Sequence, residues 1–202
     1  MRALLCALIV TLVFSPVLFA QKDKKTIDLQ HESFDVRDAL LAAAAKGKIN
    51  LIIAPGIKGS LSINAKDQMP ADAIRYLAAS VGCVVEKRGD ISVVVPKNTP
   101  SQRNLPVLAI PSDKKAKALI ARSADVRVEL LKLFKAAEMT VIIGRNVSGQ
   151  CTIKLGEVPI KDVIETLAWV NDLSWTVLKE VVFIGSPKEV KAAQLSFDAQ
   201  NR

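Results

Sequence analysis

Apolar and polar positions run through one order of patterns, then repeat it. "TIDLQ" from Thr26 alternates apolar and polar residues, the period of a half-buried strand. Val36, Leu40, Leu41 and Ala44 recur as one helical stripe behind Ser33 and Asp35, whose oxygens suit a helix N-cap. "INLIIAP" is a β-branched run ended by turn chemistry, "SLSINA" alternates, and "PADAIRYLAASVG" sets Ala73, Ile74, Leu77 and Val81 on one helical face. "CVVEK" and "ISVVVP" follow as strands, and the short "RGD" between them predicts an antiparallel hairpin. The unit reads βαββαββ.

Ninety residues further on the order returns without a gap. "SFDVRDALLAAAAKGKINLIIAPGIKGSLSI" aligns with "SADVRVELLKLFKAAEMTVIIGRNVSGQCTI", pairing Ser33 with Ser123, Asp35-Val36-Arg37 with Asp125-Val126-Arg127, and Ile52-Ile53 with Ile142-Ile143. "KALIA" (117–121) stands for the first strand, and Val126, Leu130, Leu131 and Phe134 for the first helical stripe. Val163, Ile164, Leu167 and Val170 form the second stripe, and "LSWTVL" and "VVFIGS" the final hairpin. One offset held this long marks two copies of one folding unit. Gly59 and Gly149 occupy equal places between two strands, where a tight reversal calls for a positive φ that glycine adopts cheaply. The expected fold is α+β: two tandem domains at 26–96 and 117–187, each with two helices packed on small sheets.

What lies outside the repeat changes the picture in three places. Residues 1–20 carry Arg2, an apolar run and a small residue at Ala20, the anatomy of a secretory signal peptide cleaved after Ala20. Leu18 three places before the cut and "KDKK" after it leave a retained anchor as the alternative. The linker 97–116 holds "LPVLAIP", apolar enough to pack on a domain, or else an extended peptide offered to a sheet edge. The tail 188–202 suits a short exposed helix or a frayed end.

Composition adds charge and removes chemistry. Without Arg2, 27 basic residues face 20 acidic ones, a net of about +7, which directs encounters toward acidic surfaces rather than specifying a fold. His31 is the sole histidine, and no nucleophile motif accompanies it, so no catalytic residue, metal site or cofactor is assigned. The repeated Asp35/Asp125 and Asp72/Asp162 sit at helix starts, where capping and dipole stabilisation account for them. Cys83 and Cys151 align with Leu173 and Leu61, so buried free thiols are expected, with an interdomain disulfide as the alternative.

The ordered pattern resembles the secretin and TonB short N-terminal domain, twice. The resemblance is carried by Leu40, Ile52, Gly59, Leu61, Ile63, Ile74 and Leu77. In the second copy it is carried by Leu130, Ile142, Gly149, Cys151, Ile153, Val158-Pro159, Ile164 and Leu167. It implies periplasmic modules that dock envelope proteins (a secretin, an inner-membrane or a regulatory component) and perform no chemistry. The 202 residues hold no series of alternating strands sufficient for a barrel. The expected function is therefore a periplasmic protein-protein interaction module that takes a partner strand, or self-associates, at a sheet edge, and acts on no small-molecule substrate. The final strands, with Ile91, Val93 and Val95 in one copy and Val181 and Phe183 in the other, are the expected edges. The alternative is a basic exported protein that binds a polyanion, cell-wall polymer or nucleic acid, and would let go steeply as salt rises.

Overall fold

The computed structural model describes residues 26–100, 108–110 and 113–200. The expected leader at 1–20, the linker residues 101–107 and 111–112 and the side chain of His31 lie outside the described residues. The architecture is α+β, with five helices and four mixed or antiparallel sheets among the described residues.

The first half runs β1 (Ile27–Asp35), α1 (Val36–Lys46), β2 (Asn50–Ile53), β3 (Ser60–Gln68), α2 (Pro70–Ser80), β4 (Cys83–Arg88) and β5 (Ile91–Pro96). After the short β6 (Lys115–Ala116) the second half follows suit. It runs β7 (Leu119–Asp125), α3 (Val126–Ala136), β8 (Thr140–Ile143), β9 (Gln150–Leu155), the short β10 (Val158–Pro159), α4 (Ile160–Val170), β11 (Ser174–Leu178) and β12 (Val181–Gly185). The helix α5 (Pro187–Gln200) closes the described chain. The repeat extends to the backbone. Positive φ recurs at the ninety-residue offset in Ser33 and Ser123, Lys48 and Glu138, Gly59 and Gly149, Gly82 and Asp172, and Gly89 and Lys179.

Local chemistry explains these elements, with some departures from the pattern alone. Asp35 caps α1 by accepting from Arg37 N, and Asp125 caps α3 by accepting from Val128 N. Ser33 and Ser123 are not caps. Each lies where the first strand slips register, between His31 and Phe34 and between Ala121 and Ala124, and the strand continues past the bulge to the capping Asp. Val36, Leu40, Ala44, Val126, Leu130 and Phe134 are buried, as the stripes predict. Leu131 departs from its stripe and stands 47% exposed.

The glycine-centred connection is not a hairpin. β2 pairs parallel with β5 while β3 pairs antiparallel with β1, so the chain at Gly59 crosses from one sheet to another; β8 and β9 repeat this at Gly149. Each glycine carbonyl accepts from the first helical N–H, Val36 to Gly59 and Val126 to Gly149. A Cβ at Gly59 would stand 2.9 Å from Val81 Cγ1, and one at Gly149 3.0 Å from Asn171 Oδ1. Positive φ at both glycines and close approach to the end of the second helix together exclude a side chain there.

Within each half the pairing is alike: β1 with β3 and β4-β5-β2 in the first, β7 with β9 and β11-β12-β8 in the second. The sheets do not respect the boundary expected between two domains, because β2 also pairs antiparallel with β9, matching Leu51 to Lys154, Ile52 to Ile153 and Ile53 to Thr152. The result is one five-stranded sheet, β4-β5-β2-β9-β7, and one continuous buried cluster drawn from both halves. The linker joins that cluster through Leu108 and Ile110, both buried.

Candidate functional site

The expected edge strands are interior. β5 lies between β4 and β2, and β12 between β11 and β8, so Ile91, Val93, Val181 and Phe183 have strand partners on both sides, and Val95 pairs with Val84 on β4 just past the end of the β2 ladder. The reason is the parallel return. After the β4–β5 hairpin the earlier strand β2 docks alongside β5 rather than leaving it outermost, and β8 does the same to β12. β5 is buried from Ile91 to Val95, as a strand covered on both faces must be.

The open edges fall elsewhere. β2 and β8 are equivalent strands, but β2 carries β9 on its outer side, whereas among the described residues β8 pairs only with β12. A row of side chains crosses each sheet at the same height: Glu86, Val93, Ile52 and then Ile153 in the first half, Thr176, Phe183 and Ile142 in the second. Ile52 is 0% exposed; Ile142, where the row stops, is 54% exposed. Full burial of such a side chain is worth about 2 kcal/mol, and Ile142 forgoes roughly half of it. Val128, 45% exposed, and Leu131 extend the apolar surface on α3, at the places held by Asp38 and Leu41 on α1.

β3 has the matching deficit. Among the described residues it pairs only with β1, and its side chains Leu61, Ile63 and Ala65 are half-buried, where the equivalents Cys151, Ile153 and Leu155 on β9 are buried. An open groove of about 490 Å³ lies here, lined by Gln30, Glu32, Ser62, Ile63 and Asn64. The backbone of His31 pairs with Ile63 in this ribbon, as that of Ala121 pairs with Ile153.

The seam between the halves shows what a filled edge looks like. Asn50 Oδ1 accepts from Gly156 N at 2.7 Å, and Arg122 reaches Asp35 at 3.2 Å and Asp38 at 3.0 Å. The Arg88 guanidinium lies 3.8 Å from the centre of the Trp169 ring, and Trp169 Nε1 donates to Pro100 O at 2.9 Å. Burial lowers the pKa of Arg88, opposed by Glu86 and Glu165, and burial raises that of Glu165. Both shifts reflect desolvation at a packed joint.

Asp72 and Asp162 lie inside the first turns of α2 and α4, whose N-caps are Met69 and Pro159 with no side-chain cap, so they do not cap these helices. Asp72 pairs with Arg75 at 3.0 Å within the first turn of α2. The Asp162 carboxylate stands 2.7 Å from where a Cβ of Gly89 would be. Cys83 and Cys151 are free and buried, and burial pushes the Cys151 thiol up to about 12. Among the described residues no three His, Cys, Asp or Glu side chains converge as metal ligands, and no helix is long and apolar enough to cross a membrane. No family model and no curated protein matches this chain.

Proposed function

We propose that this chain is an exported interaction module of the cell envelope, and that it captures a protein partner by adding a strand to the open edge of β8. In this reading it comprises two copies of a unit similar to the secretin and TonB short N-terminal domain, fused through β2 and β9, and the leader at residues 1–20 directs it to the periplasm. The observation that carries the reading is the contrast between the filled edge of β2 and the unfilled edge of β8, with Ile142 exposed where Ile52 is buried. Backbone pairing supplies affinity at such an edge, and the alternating side chains supply selectivity, so no reacting group is required.

Ile142→Lys tests the reading. The side chain is already solvent-facing, so circular dichroism should remain native. Recovery of the crosslinked partner from cell envelopes should fall roughly tenfold or more. Unchanged recovery refutes the reading. Strand addition also survives rising salt, whereas capture by a polyanion is lost steeply.

A further inference from the structure

The internal joint and the two open edges are related by the repeat itself. β9 fills β2; ninety residues earlier than β9 stands β3, and ninety later than β2 stands β8. Two copies of one unit joined head to tail satisfy one such joint and leave its two sides unfilled at opposite ends. The side chains record this. Ile142, Val128 and Leu131 are exposed at the receiving end, and Leu61, Ile63 and Ala65 are only half-buried at the donating end. Resting on the interaction-module reading above, we propose that the strand accepted by β8 is β3 of a second copy of this chain, antiparallel. The register follows the internal joint, with Val141 opposite Asn64, Ile142 opposite Ile63 and Ile143 opposite Ser62.

The external joint differs from the internal one in two ways. α5 packs on β11 and β12, and its Glu189 carboxylate accepts from Asn146 N at 3.2 Å, just past the end of β8. In a second copy α2, which follows β3 directly, takes the part of α4, and it packs beside α5 rather than on β12. At the place of Arg122, which bridges to Asp35 and Asp38, the second copy brings Glu32, and the residues it meets are Asp125 and Val128. Like charges replace an ion pair, so the association is weak and strengthens as salt screens them. Because the contact is heterologous, it propagates head to tail rather than closing as a two-fold dimer.

Cysteine trapping on the full chain tests the register. Mixing an Ile142→Cys chain with an Ile63→Cys chain under mild oxidation should give a covalent dimer that neither forms alone. Pairing Ile142→Cys with Ser60→Cys, displaced by about 10 Å along the strand, should give little. Sedimentation velocity should show association that grows with concentration and salt, falls roughly tenfold in Ile142→Lys, and rises severalfold in Glu32→Arg, which restores the opposite charge facing Asp125. A dimer of Ile142→Cys with itself, or no response to Glu32→Arg, overturns the proposal. A chain that stays monomeric and fails to crosslink, yet loses its envelope partner on Ile142→Lys, overturns the second copy as occupant and leaves the edge intact. Indifference in both assays sinks both readings.

Discussion

Replacing Asp35 by Asn removes one charge from the seam between the halves and keeps a side chain that still caps α1. The Asp35 carboxylate accepts from Arg37 N at 2.8 Å, from Arg37 Nε at 3.1 Å and Nη2 at 2.7 Å, and from Arg122 Nη2 at 3.2 Å. These donors, the Arg37 side chain foremost, hold its pKa at about 2, below the ordinary 3.8. A gap of about 1.8 units corresponds to roughly 2.4 kcal/mol. The side chain is 27% exposed, so solvent screening reduces this, and the expected loss at neutral pH is about 1–2 kcal/mol. Asp125→Asn is the control. Asp125 accepts from Val128 N at 3.2 Å and joins no ion pair among the described residues, so its loss should stay within about 0.5 kcal/mol. Urea unfolding from pH 7 to pH 2 reads both. A folded pKa below the unfolded one contributes stability that is complete above about pH 4 and lost as pH falls toward 2. The curves of the parent chain and Asp35→Asn should therefore converge in acid. Equal losses at positions 35 and 125, or a gap that persists at pH 2, would refute Asp35 as the charged partner of Arg37 and Arg122.

Three further outcomes follow from the geometry. Lys179→Gly relieves a φ of 57° in the β11–β12 turn, where the equivalent residue is Gly89, and should stabilise by about 0.5 kcal/mol in thermal unfolding; a lower midpoint would contradict this. Cys83 and Cys151, whose thiol pKa values burial raises, should react with an aromatic disulfide reagent at pH 8 only on unfolding, and prompt labelling of the native chain would rule out their burial. Trp169→Phe deletes the donor to Pro100 O and weakens the stacking of Arg88, so it should cost about 1–2 kcal/mol by chemical denaturation; an unchanged midpoint would show that this contact does not hold the seam.

The element order was legible because hydrophobic period and helix capping are local, and the ninety-residue register reinforced each assignment. Strand neighbours were not. "NLII" and "TVII" have the same pattern, and what separates β2 from β8 is a partner about a hundred residues away in the chain. One available signal went against the edge assignment. "ISVVVP" has no polar alternation, and such a run belongs inside a sheet covered on both faces, where β5 lies. Gly59 and Gly149 have the positive φ expected of them, but the strands they join belong to different sheets and each glycine lies against a helix end, a closeness that no local pattern signals. Of the candidate site, the idea of an edge came from the sequence, and its place at β8 and β3 came only with the pairing.

The bond between β2 and β9 makes each half depend on the other for cover. Severed at the linker, the amino-terminal portion would bare the Leu51–Ile53 ridge and the carboxyl-terminal portion would bare Thr152 and Ile153, all currently shielded from water. Fragments made that way should clump when separate and regain order when mixed, and heat should melt the intact molecule in one cooperative step rather than two.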